Sequence, residues 1–253
     1  MKKMFCLFAA TAFSAIAFAQ SGSAPASSAP KAPDKDVISS YRIFVKPGHD
    51  QAFRAALTAH ALKFHTGDWR WRVGEVMSGP DGGAYQVIEG PSSWTAFDDR
   101  GDLGADHQAD FDKNINPHVE RATSDTYATY QAELSSAKME QWSNKVMSMH
   151  YYVRPGRGAL AYDVLKRFKA IWDKRGLNVA VWASRFSGPA QYTVAFRLKN
   201  GWKDFDADGM SNRAASDALW GTAAFDGLMS DVAMAFEKIS SELVNYDPAL
   251  GSK

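Results

Sequence analysis

Two stretches of this 253-residue chain repeat one another in order, and that repetition limits the fold more than any other feature. Tyr41–Gly48 reads YRIFVKPG and Met149–Gly156 reads MHYYVRPG, with Pro47-Gly48 matching Pro155-Gly156. Further on, Ser78-Gly79-Pro80 matches Ser187-Gly188-Pro189, Tyr85 matches Tyr192, and Val87 matches Val194. Trp94, Phe97 and Asp98 then match Trp202, Phe205 and Asp206. Ordered matches at a nearly constant offset point to one structural unit written twice. The copies are expected over 37–134 and 145–248, joined by a linker at 135–144.

Each copy carries the same run of signals. A β-rich segment stops at Pro-Gly, because proline lacks a ladder donor and glycine permits the turn. A helix follows, with Phe53, Leu57, His60 and Phe64 at helical spacing in the first copy. Ala161, Leu165, Phe168 and Trp172 take the equivalent places in the second. Two strands flank the Ser-Gly-Pro turn, a short helix starts at Trp-x-x-Phe-Asp, and a longer helix is expected over roughly 104–122 and 213–241. TYATYQAEL and ELVNY close the copies as strands. The order βαββαβ gives a four-stranded antiparallel sheet with both helices on one face, a ferredoxin-like unit. Its other face is bare, so the expected fold class is α+β, two tandem ferredoxin-like units whose sheets close on one another as a pseudo-dimeric α+β barrel.

The N-terminus carries different information. Lys2 and Lys3 precede the uncharged run Met4–Ala19, which ends Ala17-Phe18-Ala19. A basic start, an apolar stretch and small residues before the cut site are the marks of a cleavable export signal, here residues 1–19. The run is too short for a membrane span. Residues 20–36, rich in Ala, Ser and Pro, read as a flexible linker. The expected location is therefore periplasmic or secreted. The only cysteine, Cys6, would leave with the signal, which removes disulfides, thiolate nucleophiles and Cys-ligated metals together. Lys2 and Lys3 would leave too, turning 29 basic against 28 acidic side chains into a net charge of −1. Such a balance supplies no electrostatic reason for nucleic acid or an anionic membrane as partner.

The strand-Pro-Gly-helix opening and the Ser-x-Trp-x-x-Phe segment before the second helix resemble the dimeric α+β barrel superfamily. That superfamily includes antibiotic-biosynthesis-monooxygenase-like and NIPSNAP-like proteins, and the resemblance covers about 38–132 and 145–247. Haem-degrading members imply an Asn in the first strand, a Trp after the short helix and a His in the second helix. His107 falls on that His, but the Asn position reads Tyr41 and the Trp position falls near Arg100. Haem-binding relatives that duplicate the fold imply a proximal His in the second copy's helices, where there is none. No cofactor is expected, with haem the one group the resemblance keeps in view, and no metal ligand is assigned.

Motifs for other chemistries are missing. There is no Gly-x-Ser-x-Gly, no phosphate-binding glycine loop and no His-Glu-x-x-His. The acidic residues between Asp98 and Asp112 lack the spacing of a calcium loop and suit a solvated helix start. Strand alternation groups Arg42 with Phe44, and His150 with Tyr152. If the more apolar set covers the helices, Arg42 and His150 look into the space between the sheets. Phe44, Tyr85, Tyr152 and Tyr192 are then expected beside them as ligand-binding residues, with Trp71 or Trp182 as further wall. The expected partner is a small apolar or aromatic molecule, and a homo-oligomer is compatible with that role. A cofactor-independent oxygenase or isomerase with His60, His107 or His150 as base is the alternative. A third alternative is an interaction module exposing Trp142 or Trp220.

Overall fold

The computed structural model describes residues 34–184, 186–207 and 209–252. The expected signal and most of the Ala/Ser/Pro linker lie outside the described residues. The first half contributes β1 (Val37–Val45), α1 (Asp50–Phe64), β2 (Trp71–Val76) and β3 (Tyr85–Ser92). Two short helices follow, α2 (Trp94–Asp99) and α3 (Ala105–Asp110), and then β4 (Val119–Ala122) and β5 (Thr126–Tyr130). The second half contributes β6 (Lys145–Val153), α4 (Gly158–Arg175), β7 (Val179–Ser184), β8 (Gln191–Arg197), α5 (Asn212–Trp220), α6 (Ala224–Ala235) and β9 (Phe236–Tyr246).

The first strand of each half ends in the same turn. In Lys46–His49 and in Arg154–Arg157, proline holds the second position and a glycine at φ +81° or +74° the third. The amides of His49 and Arg157 close the turns onto the carbonyls of Lys46 and Arg154, each at 3.0 Å. A type II turn needs these residue types in this order.

All strand pairs are antiparallel, and the sheet closes. The order β3-β2-β9-β6-β8-β7-β5-β1 returns to β3 through the β1–β3 pairing. The halves are stitched at two seams, β2 with β9 and β5 with β7. At the first seam the strands approach so closely that a Cβ on Gly74 would lie 2.8 Å from the Tyr246 ring. The chain folds as a pseudo-dimeric α+β barrel of two ferredoxin-like units, with helices outside the sheet and a lumen inside it.

Two expected elements end early. The helix forecast to 122 stops at Asp110, passes through a π turn (Phe111–Ile115) and a 3-10 turn (Asn116–His118), and gives way to β4. Pro117 has no amide hydrogen with which to continue a helix. The helix forecast to 241 stops at Ala235, because β6 needs a partner along its whole length and β9 supplies one from Phe236 to Asn245. No helix among the described residues is long and apolar enough to cross a membrane.

Candidate functional site

Inside the barrel is a cavity of about 400 Å³ lined by both halves. One wall is apolar: Ile38, Ile88 and Trp182 pack as one cluster with Trp142 against them. Two guanidinium groups lie against Trp142, Arg72 at 3.8 Å and Arg197 at 4.9 Å from its ring centre. Arg197 also donates to the carbonyls of Lys138 and Met139, which ties the segment joining the halves to the barrel.

The opposite character comes from three charged or polar side chains that meet across the halves. Arg42 donates to both carboxylate oxygens of Glu242, at 2.9 and 2.5 Å, and to Asp81 at 3.1 Å. His150 bonds Glu242 through Nε2 at 3.1 Å and Thr193 through Nδ1 at 3.2 Å. Burial alone would raise the Glu242 carboxyl, but the hydrogen bonds from His150 and Arg42 outweigh it and hold it at about 2. Glu242 is thus an anion clamped between a cation of the first half and an imidazole of its own.

Arg42, His150, Tyr152 and Trp182 all line this cavity. Tyr85 and Tyr192, expected beside them, face the helices instead. Tyr85 is opposite Ile43 in the β1–β3 register, and Tyr192 is opposite Tyr151 in the β6–β8 register, so each shares its partner's outward face. Tyr85 donates to Asp50 at 2.5 Å and accepts from Arg54 at 3.2 Å, while Tyr192 sits in the second-half helix core. Phe44 packs instead in a small cluster with Val76, Ala84 and Val244, under the Arg121 guanidinium. Trp71 also lies on the helix side, and of the two tryptophans expected to be exposed only Trp220 is among the exposed residues.

A second polar cluster lies outside the barrel, between the sheet and the helices of the first half. His60 comes from the buried stripe of α1, His65 from the residue that ends it, and His107 from α3. Their Nε2 atoms are 3.1 Å (His60–His107), 3.2 Å (His65–His107) and 3.4 Å (His60–His65) apart. Behind them, His60 Nδ1 meets Asp110 at 2.7 Å and His65 Nδ1 meets Glu89 at 2.9 Å. Glu89 is itself held by the Trp71 indole at 2.9 Å and by both terminal nitrogens of Arg100. Burial lowers the pKa of His60 and of His65, against the opposing pull of their carboxylates. His107 is lowered to about 4, first by burial and then by its two neighbouring imidazoles. Each shift favours the neutral imidazole.

His60 and His107, weighed separately as bases, therefore belong to one cluster remote from the barrel cavity. His65 and Glu242 were not among the expected site residues. No family model matches the chain, and no curated protein matches it. Solved structures do. A candidate monooxygenase of Fusobacterium nucleatum is 12% identical over 83% of this chain and 91% of its own, with a TM-score of 0.54. A second, from Lactobacillus acidophilus, is 12% identical over 86% of this chain and 96% of its own, at 0.50. An anthrone oxidase-like protein is 12% identical over 85% of this chain and 92% of its own, also at 0.50. At that identity the likeness establishes the fold and nothing finer.

Proposed function

We propose that the barrel interior binds a small molecule with a flat apolar body and a polar or charged head. One observation carries this reading: a cavity of about 400 Å³ with an aromatic wall and, facing it, the Arg42–Glu242–His150 group assembled from both halves. Ligand sites are commonly of roughly 300–1,000 Å³, mostly apolar, with a few convergent polar groups. The polar face narrows the expected ligand from an apolar molecule to an amphipathic one. Its N-terminal export signature would put that binding outside the cytoplasm.

Cofactor-independent oxygenation or isomerisation has less support, although the names of the similar structures include monooxygenases. Both ring nitrogens of His150 are engaged, one with an anion that only accepts and one with a hydroxyl. A carboxylate-held imidazole takes a proton at its other nitrogen, so as a base His150 would first have to release Thr193.

8-Anilinonaphthalene-1-sulfonate, an aromatic body with an anionic head, is a suitable probe. Fluorescence titration of the folded chain is expected to show one equivalent bound, with at least tenfold weaker binding in His150→Ala and in Trp182→Leu. Stoichiometric binding untouched by both substitutions, or no saturable binding, would remove the reading.

A further inference from the structure

We propose that His60, His65 and His107 form a binding site for one divalent transition-metal ion of the Zn²⁺ or Cu²⁺ class. Proton counting is the first argument. A carboxylate can only accept, so Asp110 fixes the proton of His60 on Nδ1, and Glu89 does the same for His65. Both Nε2 atoms are then bare lone pairs, 3.4 Å apart in a buried pocket. His107 Nε2 can donate one proton, to one of them. The remaining lone pair faces others with nothing between them, an arrangement a shared cation resolves.

Geometry agrees. A tetrahedral ion bound to imidazole at about 2.0–2.1 Å holds its nitrogens about 3.3 Å apart. The three Nε2 separations here run from 3.1 to 3.4 Å. The carboxylate–imidazole pairs behind two of the ligands fix tautomer and ring direction, as second partners of metal-bound histidines do. The Trp71 ring, stacked on His65 at 3.6 Å, restrains it further, and Asn114 holds Asp110 at 2.9 Å. Three imidazoles without thiolate or carboxylate in the ligand triangle favour Zn²⁺ or Cu²⁺ over Mg²⁺ or Ca²⁺. Three protein ligands also leave a fourth position for water or another small ligand, as in open rather than purely structural sites.

An internal control points the same way. Phe168 takes the place of His60 in the repeated sequence, and it stacks at 5.9 Å on Trp172 in a wholly apolar cluster. The fold does not need a histidine there.

The test uses the full untagged chain, stripped with chelator and titrated with Zn²⁺ or with Co²⁺ as a spectroscopic probe. One equivalent is expected, and Co²⁺ should show the intense visible bands of a four-coordinate ion. His107→Ala is expected to weaken binding at least 100-fold. That residue is only half-buried on a short helix, and unchanged circular dichroism would show the variant folded. Asp110→Asn, acting through His60, should weaken binding roughly 10–100-fold. A double His49→Ala, His118→Ala variant, removing the other close histidine pair, should bind as the parent does. Binding unaffected by His107→Ala in a folded variant, or no stoichiometric Zn²⁺ binding by the parent, would overturn the site.

Discussion

The helix–sheet layers of the two halves share a frame and differ in what they bury. In the second half, α4 and α6 press Val164, Leu165, Phe168, Trp172, Leu228 and Val232 onto the sheet as one apolar cluster. In the first, α1 buries Phe53 and Leu57 but also His60, beside His65 and Glu89. Its second helix shrinks to the six residues of α3, where the other half has the nine and twelve of α5 and α6. Apolar burial is the main stabilising term in a layer of this kind, and buried polar groups are tolerated only when partnered. The second half therefore carries more of the stability. The first gives up apolar contact for an arrangement whose polar atoms satisfy one another almost completely.

The largest effect should come from the apolar layer. Trp172, 1% exposed, sits among Phe168, Phe196 and the α4 stripe. Trp172→Ala is expected to cost about 3–5 kcal/mol in urea unfolding, from lost transfer energy plus the cavity left behind. The same loss should be measured with and without added Zn²⁺. A cost below about 1 kcal/mol would mean that the second half is not the stabilising layer.

The next effect tests the joint between the halves. Glu242 belongs to β9, yet its carboxylate is held by Arg42 of β1. Its pKa is depressed from 4.5 to about 2, so the stability it contributes is complete above its ordinary value and is lost as pH falls through about 2. The full shift corresponds to up to about 3 kcal/mol. Urea midpoints should decline over that acid window in the parent chain and decline less in Glu242→Gln. Equal slopes in the two proteins would show that the clamp is not what acid releases.

How much of this was legible beforehand follows from how local each signal is. The Pro-Gly turns, the stripes of α1 and α4 and the strand runs are written in consecutive residues, and they were enough for the barrel. Alternation groups Arg42 with Phe44 and His150 with Tyr152, and the condition that the more apolar set covers the helices is what turned Arg42 and His150 inward. Tyr85 and Tyr192 were misplaced because their faces depend on cross-strand register, Ile43 opposite Tyr85 and Tyr151 opposite Tyr192. Glu242 was hidden because the strand holding it was expected to start only there, after a helix, which left no alternation to count. His65 follows the last residue of α1, where helical periodicity has ended. Its partnership with His60 and His107 is purely tertiary.

The smallest effect gives the sharpest comparison. His60→Phe writes the second half's residue into the first, replacing one ring with another in the same buried stripe. The substitution removes a buried polar group together with its need for partners. Asp110, its side chain 21% exposed, keeps Asn114 and water, and His65 and His107 can still share one proton at 3.2 Å. The extra volume opposes these gains, so the net change is expected to stay within about 1.5 kcal/mol, as for other shape-conserving core swaps. Zn²⁺ should then no longer raise the melting temperature, whereas a site in the parent chain should make it do so by mass action on the folded state. If the variant instead lost several kcal/mol without metal, His60 would be a structural core residue. The polar layer of the first half would then serve the fold rather than a site.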